Sequence, residues 1–139
     1  MFTKKGKVIY EAPKISPKKV LAEDIAYIIS NILSDNDARK LVFGERSLLH
    51  IPGYSVAVKT GTTDDKRDNW TVGYTKSYVT GVWVGNNDNT AMSYVASGIT
   101  GASPIWRRII YTALDLGYQA PAWQMPDNVE KVELDAISG

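Results

Sequence analysis

The chain has 139 residues, 44% of them apolar and 22% charged, the composition of one globular domain and not of a disordered, collagen-like or coiled-coil chain. Sixteen basic residues against fifteen acidic ones leave a formal net charge of +1, with no long block of one sign, which argues against nucleic acid as a partner. The absence of cysteine removes disulfides and thiolate chemistry, and the single histidine, His50, makes a histidine-rich metal site or a Ser-His-Asp triad hard to build, so any nucleophile must use another base.

Taken in chain order, the basic opening of residues 1–7 lacks the apolar stretch of a secretory signal and runs into a strand-like Val8-Ile9-Tyr10, so a short strand is expected over residues 6–12. Pro13 and Pro17 then break the pattern. From Leu21, apolar residues recur at Ile25, Ile28, Ile29, Ile32 and Leu33, which predicts an amphipathic helix over about 22–34 with Glu23 and Asp24 near its positive end. Residues 34–53 are mixed and close on Ile51-Pro52-Gly53, a loop that delivers the chain to a strand over 54–62. A polar link over 63–69 leads to a second strand, Trp70 to Tyr74, and then to a third over 77–85. Asn86-Asn87-Asp88-Asn89 is turn chemistry, and residues 97–101 could hold a last short strand. Ser103-Pro104 predicts a helix start, with Ser103 as cap, Ile105, Trp106, Ile109, Ile110 and Ala113 on one face, and Gly117 as its stop. Trp70, Tyr74, Trp83 and Trp106 are expected to pack in the core, and Arg107 and Arg108 to face solvent. Val129, Val132 and Leu134 form a weakly strand-like tail. No apolar run approaches the ~20 residues a membrane span needs.

The chemistry-bearing stretch is Val56-Ala57-Val58-Lys59-Thr60-Gly61-Thr62, a strand with glycine near its end. Glycine is a poor strand former and often marks close approach by a ligand or another backbone. An extended peptide can add to an open strand edge there through main-chain hydrogen bonds. Lys59 supplies positive charge, and the Thr62 hydroxyl can donate to a carboxylate.

Three longer runs place this strand in context: Val58 to Thr63, Arg67 to Thr75 and Val79 to Gly85. Together they resemble the class A, bifunctional penicillin-binding proteins. The resemblance continues upstream through Gly6 to Glu11 and the Leu21 helix, and downstream through Gly101 to Trp106, so it covers most of the chain. It implies an α+β fold: the C-terminal part of the penicillin-binding, serine beta-lactamase-like transpeptidase fold, with antiparallel strands packed against a C-terminal helix. Residues 1–120 would be that segment, and 121–139 a tail that reads as truncated. The implied reaction is acyl transfer. The D-Ala-D-Ala end of a peptidoglycan stem peptide acylates a serine, D-alanine leaves, and the amine of a neighbouring stem accepts the acyl group; beta-lactams trap the same serine. Lys59 and Thr62 would hold the substrate carboxylate, with Thr60 and Gly61 completing the strand that lines the substrate. No cofactor and no metal are implied. The parent protein would be anchored in the cytoplasmic membrane, with this domain on its outer face.

In that family the strand serves a Ser-x-x-Lys nucleophile and a Ser-x-Asn motif, and this chain contains literal strings for both: Ser16-Pro17-Lys18-Lys19 and Ser34-Asp35-Asn36. Neither suits the chemistry. A base lysine must lie one helical turn from its serine, desolvated at a buried helix start, whereas Ser16 sits in a Pro- and Lys-rich linker. Ser34 follows the last apolar position of the first helix, where small polar residues end helices. The nucleophile is therefore expected to lie outside this chain, and the partner of the chain is expected to be the upstream remainder of the transpeptidase domain. An incomplete sheet should expose an apolar face and an unpaired edge, and so favour low stability or self-association. Two other readings compete: a non-catalytic domain that binds stem peptide or a protein through its open edge, and a compact hydrolase using Ser16 and Ser34. Asp64, Asp65 and Asp68 lack the spacing and glycine of a calcium loop.

Overall fold

A computed structural model describes residues 6–8, 10–11, 13, 16, 18–93 and 100–134. The architecture is α+β. Helix α1 (Glu23–Ser34) is followed by a short helix α2 (Asn36–Phe43), three strands β1 (Ala57–Thr62), β2 (Asp68–Tyr74) and β3 (Val79–Gly85), and helix α3 (Ala102–Asp115). The strands form one antiparallel sheet in the order β1-β2-β3. Val8 makes an isolated bridge in the region read as a strand, where Ile9 and Ala12 lie outside the described residues. Of the short strand expected near residue 99, positions 97–99 also lie outside them, and Thr100 and Gly101 form a turn. The tail over 129–134 forms no strand. Among the described residues, no helix is long and apolar enough to cross a membrane.

The register decides which side chains share a face. Gly61 pairs with Trp70 and Lys59 with Val72, while Thr62 pairs with Asn69, Thr60 with Thr71 and Val58 with Gly73. Trp70 in turn faces Trp83, and Thr71 faces Val82. Because side chains alternate along a strand, Val58, Asn69, Thr71, Gly73 and Val82 lie on one face, and α3 packs there. Trp106 closes the contact from α3. It is fully buried, and a Cβ added to Gly73 would collide with its ring and sit 2.9 Å from Ala57 O, so only glycine lets the helix approach this closely. Leu49, Ile51, Val56, Val58, Val82 and Ile110 complete the buried cluster around it.

The opposite face is only partly covered. α1 lies against β1, where Ala57 is fully buried, and Ser30 Oγ stands 3.0 Å from Tyr74 Oη. The tail returns to the same end, with the Trp123 ring edge-on to Tyr74 at 5.8 Å. Farther along, Trp70 and Trp83 are 46% and 39% exposed, which corrects the expectation that both are core residues: they sit on the face that α3 does not cover. The α1 stripe of Ile25, Ile28, Ile29 and Ile32 is likewise exposed. Its periodicity is real, but these four side chains keep between 43% and 64% of their surface exposed.

Three local details differ from expectation for identifiable reasons. The supposed loop after α1 contains α2, eight residues with no buried side chain. The Asp35 side chain caps it by accepting from Ala38 N at 3.0 Å, and the Arg39 guanidinium ties it back to α1 by donating to Leu33 O at 3.0 Å. β1 begins at Ala57, later than expected, because Tyr54 N donates to Ile51 O in a turn that uses Gly53 at φ +82°. At α3 the cap is Gly101 and not Ser103. Ser103 lies inside the helix, fully buried, with its hydroxyl 2.9 Å from Thr71 Oγ1. The end of α3 follows expectation: Gly117 at φ +91° lets Gly117 N reach Leu114 O and Tyr118 N reach Ala113 O, the paired bonds of a glycine-terminated helix.

Arg107 is also not the solvent-facing residue its charge implied. Its guanidinium donates to the carbonyls of Leu48, at 3.0 Å, and His50, and it lies over the Tyr111 ring. It thereby holds the loop that feeds β1. Replacing it by methionine keeps much of the apolar stem but leaves those carbonyls short of a donor, so Arg107→Met is expected to cost about 2–4 kcal/mol. Urea unfolding followed by circular dichroism measures this. Arg108, by contrast, is exposed, as read from the sequence.

Candidate functional site

β1 is an edge strand, and the hydrogen-bond phase of the sheet shows what that edge offers. Thr63 N donates to Asp68 O and Thr75 N to Tyr78 O. With the register, this places Ala57, Lys59 and Gly61 in bonded pairs with β2, since bonded and non-bonded pairs alternate in an antiparallel ladder. The N–H and C=O groups of Val58, Thr60 and Thr62 therefore point away from β2, toward the open edge. Among the described residues no strand pairs there.

The four residues singled out from the sequence all lie along this edge. Lys59 is exposed, and its Nζ donates to Thr60 O at 2.6 Å, which occupies one of the edge carbonyls. Gly61 has ordinary backbone geometry, and the nearest atom to an added Cβ would be Trp70 Cβ at 3.8 Å. Packing within the chain does not require glycine at this position, in contrast to Gly73. Thr62 is exposed and accepts from Asn69 Nδ2 at 3.2 Å.

Beside β1, between the end of α1 and α2, lies an open cavity of about 240 Å³ walled by Ile32, Phe43, Leu49 and Val58, with Asp35, Arg39, Lys59 and Thr60 at its polar margin. Half-buried Arg39 is spoken for by the carbonyls of Leu33 and Asp35, and burial lowers its pKa from the ordinary guanidinium value against the opposing charge of Asp35. The cavity thus has an apolar floor and a margin of mixed charge next to the strand.

The two literal motif strings do not assemble a nucleophile with this strand. Ser16, Lys18 and Lys19 are exposed. Ser34 is the last residue of α1, and its hydroxyl donates to Asn31 O at 3.1 Å. Asp35, which does reach the cavity, spends its carboxylate on the α2 cap. Asp68, one of the three acidic residues weighed as cation ligands, instead accepts from Trp83 Nε1 at 2.8 Å. The residue that sequence reading missed is Asn69, assigned there to a polar link. It belongs to β2 and is fully buried; the alternation Asn69-Trp70-Thr71-Val72-Gly73 was the available signal, since it puts Asn69 on the same face as Thr71. No family model matches the chain, and no curated protein matches it.

Proposed function

We propose that this chain forms the substrate-side wall of a serine D,D-transpeptidase, as the C-terminal part of a penicillin-binding transpeptidase domain whose nucleophile and base come from the upstream remainder of that domain. The open edge of β1 carries the reading: main-chain donors and acceptors on Val58, Thr60 and Thr62 face outward beside Gly61, which has no packing reason to be glycine. An extended stem peptide would pair along this edge. Its terminal carboxylate would draw the Lys59 ammonium from Thr60 O, because a bond between two charged groups is stronger than one to a neutral carbonyl, and the Thr62 hydroxyl would donate alongside. The exposed Trp70, Val72 and Trp83 on the uncovered sheet face, and the exposed isoleucine stripe of α1, fit a surface that the rest of the domain covers. In that whole, the chain would act at the outer face of the cytoplasmic membrane.

Titration calorimetry of the full chain with diacetyl-L-lysyl-D-alanyl-D-alanine tests the reading. Saturable binding is expected, weakened about tenfold or more by Lys59→Ala, through loss of a charge-assisted bond. No saturable binding, or equal binding by the variant, counts against it.

A further inference from the structure

We propose that Asn69 is a positioning residue for this edge: it turns the Thr62 hydroxyl outward, so that the hydroxyl meets a ligand's carboxylate as a donor. The inference rests on the reading of β1 as a carboxylate-receiving edge. Asn69 is fully buried, and both ends of its amide are engaged. Its Oδ1 accepts from Ala102 N at 2.7 Å, and its Nδ2 donates to Thr62 Oγ1 at 3.2 Å.

The direction of these bonds is forced. A backbone N–H can only donate, so the amide oxygen must face Ala102 and the NH2 group must face Thr62. Thr62 Oγ1 is then an acceptor in that bond, and its own proton must point elsewhere. Thr62 has no other partner among the described residues and is exposed, so the proton is directed to the solvent side of the strand. An ionised carboxylate only accepts, which makes the outward hydroxyl complementary to an acid terminus. The same Oδ1 satisfies an N–H of the first turn of α3, where helix donors lack intrahelical partners. The packed helix thereby fixes the amide, and the amide fixes the hydroxyl.

The test uses the full chain and two probes, diacetyl-L-lysyl-D-alanyl-D-alanine and its C-terminal amide. Asn69→Asp keeps an acceptor for Ala102 N but presents a second acceptor to Thr62, so the hydroxyl donates inward and is lost to the ligand. Affinity for the acid is expected to fall about tenfold, and affinity for the amide less than about twofold. In a Thr62→Val background, Asn69→Asp should change neither value further. If Asn69→Asp lowers acid affinity equally in both backgrounds, the new charge acts directly and the proposal is overturned; an unchanged preference for acid over amide overturns it as well. Should Asn69→Asp not fold by circular dichroism, Asn69→Ala releases the hydroxyl to rotate, and the preference should fall about threefold; no fall in that variant overturns the proposal. A wild-type chain that binds neither probe defeats the carboxylate-edge reading and this role together, whereas wild-type binding with indifferent variants defeats this role alone.

Discussion

Replacing Trp106 by alanine is expected to remove about 3–5 kcal/mol of stability, a large share of the roughly 5–15 kcal/mol that a domain has in reserve. Trp106 is one of the few large side chains wholly out of solvent. It fills the space left by the missing side chain of Gly73 and joins α3 to the middle of the sheet. Alanine would leave a cavity that the neighbours cannot close, because the backbone of β2 already stands against the ring. The cost should appear as a shift of the urea midpoint by about 2 M, or as loss of a cooperative transition. Phenylalanine is the informative control. The Trp106 indole N–H is buried without a partner among the described residues, so Trp106→Phe gives up contact area but also removes an unsatisfied donor. Its cost should be clearly below that of alanine. Equal losses for the two variants would show that the ring volume does not carry the sheet-helix contact.

The same contact explains what was and was not legible in the sequence. The three strands could be read from runs such as Val79 to Gly85, and α3 from the spacing of Trp106, Ile109, Ile110 and Ala113. Local pattern carries that information. It does not say which face of a sheet is inside. Trp70 and Trp83 are strong strand residues on either reading, and only the docking of α3 onto the face of Asn69, Thr71 and Gly73 leaves them exposed. α2 escaped notice because a short helix with no buried side chain has no apolar stripe to detect; the Asp35 cap and the Arg39 clasp hold it instead. Arg107 misled for a related reason, since its value lies in carbonyls some sixty positions away in sequence. At the candidate site, Lys59 to Thr62 stood out as residue types, but the outward direction of the amides depends on register, and the support from Asn69 depends on α3.

Incubated with a fluorescent penicillin, the chain alone is expected to take up no covalent label. Acylation needs a serine whose proton can pass to a base held close and desolvated, and each serine in the two motif strings lacks one. Ser16 is exposed, as are Lys18 and Lys19, so no desolvated base stands beside that serine. Ser34 hydrogen-bonds the end of its own helix. The residue three positions on is Asp37, whose carboxylate lies 2.8 Å from Lys40; the hydrogen bond from Lys40 holds its pKa below the usual carboxylate value, which makes it a weaker base still. Lys59 is on the correct strand, but its ammonium lies on Thr60 O, and neither motif serine is bonded to it. Label that disappears with Ser16→Ala or Ser34→Ala would restore the compact-hydrolase reading, and label that survives both would identify a nucleophile elsewhere in the chain. An unlabelled chain that nevertheless binds the D-Ala-D-Ala peptide separates the two tasks of the proposed domain: β1 recognises the peptide end, and the acyl transfer requires a serine and lysine that these residues do not supply.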